Sequence, residues 1–148
     1  MRELKFRAWD NVKNRIYYVG EELNVAFSIE SIGSIHAVDL TEHDWGFKEL
    51  YHLQYMQYIG MKDKNGVEIY EGDIVKYLDG YDTSTESGFD FTEFDNTGVV
   101  EWDNEKLCYF VTNRQTVELE SVWDSDDIEV IGNIYENPEL LKGDEINA

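Results

Sequence analysis

Val99-Val100-Glu101-Trp102-Asp103-Asn104-Glu105-Lys106-Leu107-Cys108-Tyr109-Phe110-Val111 decides the fold class. Two runs rich in β-branched and aromatic residues flank a polar reversal at Asp103-Asn104-Glu105, which is the pattern of a β-hairpin. Similar short runs lie on either side: Ile74-Val75-Lys76-Tyr77 before it, Thr116-Val117-Glu118-Leu119 and Ile128-Glu129-Val130-Ile131 after it. Strands at 74–77, 99–102, 107–111, 116–119 and 128–131 are about the number and length a small closed barrel needs. Asn137 followed by Pro138, a helix-capping residue and then proline at the first helical position, predicts a short C-terminal helical turn.

Toward the N-terminus the same period continues. Leu4, Phe6 and Ala8 alternate with Lys5, Arg7 and Trp9, as in a half-buried strand, and the polar stretch 10–15 turns the chain into Ile16-Tyr17-Tyr18-Val19. Val25–Ile29 and Ser34–Val38 read as short strands around Ser31-Ile32-Gly33, with an irregular or single-turn helical piece at Thr41-Glu42-His43-Asp44. Gln54–Ile59 is a further strand. Asn65-Gly66 is a strong turn signal, and Glu71-Gly72-Asp73 is a second tight turn. Gly66 and Gly72 fall where a reversing chain needs a positive φ. Asp63 and Asp73 are placed to accept backbone N–H bonds within those turns. The chain is expected to be mainly β and one domain over 1–148. It comprises an N-terminal hairpin layer at 1–60 and a barrel-like part at 61–141.

Residues 79–97 lack sustained periodicity and hold six acids with no base, so they read as a long acidic surface loop. Phe89, Phe91 and Phe94 stand among Asp90, Glu93 and Asp95 there. Such acidic–aromatic segments stay soluble through their charge and dock their rings into a partner's groove. The favoured expectation is nevertheless that the rings fold back over one mouth of the barrel, because three phenylalanines left in water are costly.

Composition narrows the partners. With 12 Lys+Arg against 32 Asp+Glu the net charge is −20. Residues 77–141 carry 17 acids and only Lys106 and Arg114, or −15, which repels a polyanion and disfavours direct nucleic-acid binding. Arg2, Lys5, Arg7, Lys13 and Arg15 read as a solvated strand face. The single Cys108 excludes an internal disulfide framework and reads as a buried, inert thiol. No membrane-spanning run or export signal is found, so a cytoplasmic setting is expected.

Catalytic and metal motifs fail on spacing. Asp63–Glu68 resembles a calcium loop, but its glycine is fourth and position twelve is Ile74, where an EF-hand needs glutamate. Asp124-Ser125-Asp126-Asp127 reads as a hydrated acidic turn. His36, His43 and His52 lack zinc-site spacing. Phosphate-binding, dinucleotide-binding and serine-nucleophile signatures are absent. No cofactor, metal or catalytic residue is assigned.

Three blocks carry a family resemblance: Arg2–Asp10, Met56–Val75, and Glu129-Val130-Ile131-Gly132-Asn133-Ile134-Tyr135-Glu136-Asn137-Pro138-Glu139-Leu140-Leu141. In that order they resemble the YopX family of phage and prophage proteins. The resemblance implies an SH3-like small barrel elaborated with additional hairpins, a bacterial host cell, and no catalytic residues to carry over. The leading functional expectation is a non-enzymatic accessory protein that binds an unidentified protein partner. Alternatives are an acidic nucleic-acid mimic that blocks a host DNA-binding protein, and an enzyme with an unfamiliar site, which would require a deep polar pocket. Edge strands invite a homo-oligomer, while the negative charge opposes close approach of copies.

Overall fold

A computed structural model describes residues 3–41, 46–112, 119–121 and 127–141, with 79–81 and 119–121 described by backbone alone. The chain is mainly β, every described strand pairing is antiparallel, and it divides into two compact units, Met1–Gln57 and Tyr58–Ala148.

In the first unit β1 (Phe6–Asp10) and β2 (Arg15–Tyr18) form the expected hairpin, with Ala8 opposite Tyr17 and Trp9 opposite Ile16. The other edge of β1 pairs with the start of β6 (Gln54–Lys62), Arg7 facing Met56. A separate sheet orders β3 (Val25–Ile29), β4 (Ile35–Asp39) and β5 (Lys48–Glu49). Ala8, Tyr17, Val25, Ala37, Leu50 and Leu53 build the core, and the half-buried Phe27 lays its ring 6.4 Å from that of Tyr17. One detail departs from the simple alternation. Arg7 is buried beside Ala8, its Nη2 3.5 Å from the Met56 sulfur, whereas Leu4 is exposed. Segment 42–44, expected to be irregular or helical, lies outside the described residues.

In the second unit the rest of β6 pairs with β7 (Glu68–Tyr70). Five strands then curl into an antiparallel half-barrel: β8 (Asp73–Asp82), β9 (Phe91–Asp103), β10 (Cys108–Thr112), β11 (Leu119–Ser121) and β12 (Glu129–Asn133). Their order is β11-β10-β9-β8-β12. Of the strand expected at 116–119, only Leu119 falls among the described residues, as the first residue of β11. Ile59, Ile69, Val75, Tyr77, Val100, Val111 and Ile128 form the core. Each fully buried aliphatic side chain here contributes about 1.5–3 kcal/mol.

The turns behave as their chemistry dictates. Gly66 and Gly72 both have φ +81°. Asp63 Oδ1 accepts from Asn65 N and Val67 N at 2.8 and 2.9 Å, and Asp73 Oδ2 accepts from Tyr70 N at 2.8 Å. Asp63 Oδ2 also reaches β12, accepting from Val130 N at 2.9 Å. A 3-10 turn closes the described chain at Pro138–Leu141.

The acidic loop expected at 79–97 is corrected. Residues 79–82 belong to β8 and 91–97 to β9, in register from Ile74↔Val99 out to Asp82↔Phe91, so only 83–90 connect them. Sequence periodicity is silent here for a physical reason. Side chains on both faces of this stretch of β9 meet water, so no two-residue hydrophobic alternation marks a strand whose ladder is made by backbone alone.

Candidate functional site

β12 reaches along β8 only as far as Lys76, and β10 reaches along β9 only as far as Val99. Beyond those points, among the described residues, the strand ladder of 77–82 runs only with 91–96, and the two form a two-stranded arm rooted at Tyr77 in the core. Its tip is tied by side chains as well as backbone. Thr83 N donates to Asp90 O at 3.0 Å, Asp90 N to Ser84 Oγ at 2.9 Å, and Thr85 N to Gly88 O at 2.9 Å. Ser84 N donates to Asp82 Oδ1 at 2.8 Å; the hydrogen bonds from the Ser84 hydroxyl and N–H hold the Asp82 carboxyl below the usual carboxylate range.

All three phenylalanines singled out in the sequence lie on this arm and none folds into the core: Phe89 is 88% exposed, Phe91 50% and Phe94 40%. Phe89 sits in the tip. Phe91 and Phe94, three residues apart on one strand, emerge on opposite faces. Leu78, 44% exposed, stands opposite Asp95 and therefore on the Phe91 face. Six acids and no base occupy 79–97, and at the root of the arm Lys76 Nζ lies 3.3 Å from Asp95 Oδ2.

A second constellation, in the first unit, escaped sequence reasoning. Asp10 is wholly buried at the end of β1. Its Oδ1 accepts from Val12 N at 2.9 Å and Lys13 N at 3.0 Å and lies 2.8 Å from His52 Nε2, while Oδ2 accepts from Tyr17 Oη at 2.9 Å. Burial pushes the Asp10 carboxyl up, but the bonds from Lys13, His52, Val12 and Tyr17 outweigh it and hold the pKa at about 2. Burial first, then the bond to Asp10, pushes Tyr17 up to about 12. Asp-x-x after a strand signals the local turn; His52, 42 residues away, has no local signal.

This arrangement predicts a pH dependence. Because the folded carboxyl titrates near 2 rather than 3.8, its contribution is complete above about pH 5 and is lost as pH falls from about 4 toward 2. The loss amounts to roughly 2 kcal/mol. Relief of self-repulsion in a chain of charge −20 acts in the opposite direction. The expected readout is therefore the stability difference between the native chain and Asp10→Asn, measured by urea melts, which shrinks across that window.

Nearby lies a polar cleft of about 350 Å³ whose lining includes Lys13, Arg15, Tyr17, Glu22, Asp39 and Thr41. Its charges answer one another: Lys13 Nζ is 3.6 Å from Asp39 Oδ2, and Arg15 Nη2 is 2.9 Å from Glu22 Oε2. Thr41, through its hydroxyl and its N–H, holds the buried Asp39 carboxyl below its ordinary value. Four of the five charged side chains that line the cleft thus pair with one another, and Glu21 is the fifth.

Among the described residues no three His, Cys, Asp or Glu side chains are grouped to hold a metal ion. His36 approaches Glu30 at 3.7 Å, while His43 and Asp124 to Asp126 lie outside the described residues. Cys108, read as buried, is half-buried, because it opens β10 beside the turn at 104–107. No described helix is long and apolar enough to cross a membrane.

A mainly β scaffold with a protruding acidic–aromatic arm defines the structural class. The chain belongs to the YopX family, whose model, described as YopX protein, matches residues 5–142. It is similar to a crystal structure of protein EF1440 from Enterococcus faecalis, with 25% identity over 95% of this chain and 99% of that one and a TM-score of 0.56. It also shares its fold with the X-ray structure of protein yopX from Bacillus subtilis. That match has 23% identity, covers 94% of this chain and 96% of that one, and has a TM-score of 0.54. No curated protein matches the chain.

Proposed function

We propose that this chain is a phage or prophage accessory protein acting as a non-enzymatic binding module, whose β8–β9 arm presents Phe89, Phe91 and Phe94 to a protein partner in the bacterial cytoplasm. The exposure of all three rings on a ribbon that leaves the half-barrel carries this reading. Phe89 is almost fully in water, and Phe91 and Phe94 keep about half of their rings exposed, so covering this apolar area on a partner is a source of binding free energy. In the cleft of the first unit, by contrast, both lining cations are already paired with lining carboxylates.

The test places a photo-crosslinking residue at Ser87, in the tip, and irradiates host cells before and after phage induction. A discrete adduct is expected, and F89S/F91S/F94S is expected to abolish it while leaving a cooperative melt and the native fold, since none of the three rings belongs to either buried core cluster. An adduct that survives the triple substitution, or no adduct at all, defeats the reading.

A further inference from the structure

Resting on that reading, we infer that the surface receiving the arm is a protein groove that is both cationic and apolar, with lysine or arginine side chains set around aliphatic pockets. Strand alternation puts Phe91, Glu93 and Asp95 on one face of β9, and the register puts Asp82 and Leu78 of β8 beside them. Phe91 thus stands across from Asp82 and about 6.6 Å along its strand from Glu93, and Leu78 stands across from Asp95, with Lys76 and Gly80 as its neighbours along β8. A groove offering pockets alone would strip water from those carboxylates without repayment, and one offering cations alone would leave the rings wet.

The charge also selects against other occupants. The six acids between 79 and 97 sit on a ribbon about 20 Å long, about two screening lengths at physiological salt. Nucleic acid and anionic lipid surfaces are repelled. A second copy brings the same acidic arm, so arm-to-arm association meets like charge. Lys76 neutralises only Asp95 at the root, leaving Asp82 and Glu93 farther out.

The experiment uses the full chain and three fluorescent peptides of about 12 residues, alternating Lys/Leu, Lys/Ser and Glu/Leu, read by anisotropy. The Lys/Leu peptide is expected to bind at least about 10-fold more tightly than either other probe and to weaken about 10-fold between about 50 and 300 mM salt. F89S/F91S/F94S is expected to reduce Lys/Leu binding to the Lys/Ser level. Removing three arm charges (D82N/D90N/E93Q) is expected to weaken Lys/Leu about 10-fold, whereas three removed elsewhere (E30Q/E49Q/E139Q) change it less than about 2-fold. Equal loss from both charge sets makes the effect one of net charge and overturns the inference. Preference for Glu/Leu, or binding insensitive to salt, overturns it too. The readings fail separately: an arm-dependent adduct in cells with no Lys/Leu preference leaves the binding arm standing and removes only the cationic groove. Without any arm adduct, the binding module falls whatever the peptides do.

Discussion

Asp10→Ala is expected to cost about 3–5 kcal/mol of folding stability. Four donors converge on that carboxylate: Val12 N, Lys13 N, Tyr17 Oη and His52 Nε2. Alanine removes every acceptor at once, and the Tyr17 hydroxyl, on a residue only 2% exposed, has no water to turn to. Asp10→Asn is expected to cost only about 1–2 kcal/mol, because the amide oxygen keeps the three bonds at Oδ1 and the amide N–H can donate to Tyr17. His52→Ala, which removes a ring about one-third exposed, is expected to cost less than about 1 kcal/mol. Urea melts of the three variants at neutral pH check this ranking. Alanine tolerated as well as asparagine would show that the network is not what holds β1 and β2 together.

The fold was legible wherever a turn's chemistry or a one-sided strand left its mark. Asn65-Gly66 announced a reversal, and the reversal has the required positive φ. Val99–Val111 announced a hairpin, and Asp103 closes it by accepting from Glu105 N and Lys106 N. Patterning misled where a strand is covered on both sides or on neither. Arg7 and Ala8, neighbours on opposite faces of β1, are both buried, so the alternation of Leu4 to Trp9 does not separate inside from outside. The arm fails in the opposite sense: with both faces wet, it carries loop-like composition on paired backbone. Asn137 was expected to cap the final turn with its side chain, but its Oδ1 accepts from Asn133 N at 3.2 Å, and it is Asn133 Oδ1 that holds Tyr135 N and Glu136 N.

The candidate site divides the same way. The acidic–aromatic composition of 79–97 was enough to single out Phe89, Phe91 and Phe94, because unusual composition survives without knowledge of pairing. What composition could not supply was the rigid register that separates Phe91 from Phe94 onto opposite faces and sets Leu78 beside Phe91. The Asp10–Tyr17–His52 centre was invisible because its members come from β1, β2 and the approach to β6, and only folding makes them neighbours.

Gly98→Ala is the other large expected effect, about 3 kcal/mol of destabilisation, and its origin is steric rather than conformational. Gly98 lies in β9, the middle strand of the half-barrel, opposite Val75 of β8. A Cβ there meets Val111 Cγ1 at 2.5 Å and the Thr112 carbonyl oxygen at 2.9 Å. The first contact can be relieved by shrinking a side chain, but the second is backbone, and moving it means moving β10. Gly88→Ala, at the tip of the same hairpin, meets nothing within 4 Å and is expected to be neutral or stabilising by about 0.5 kcal/mol through the unfolded chain. Opposite signs for one substitution at the two ends of one hairpin are therefore expected in thermal melts, at roughly 2–4 °C per kcal/mol. Adding Val111→Ala to Gly98→Ala is expected to recover part of the loss beyond additivity, because only the side-chain clash is removed. Full recovery would mean that β10 yields freely at Thr112, and the half-barrel would then be softer between β9 and β10 than its packing implies.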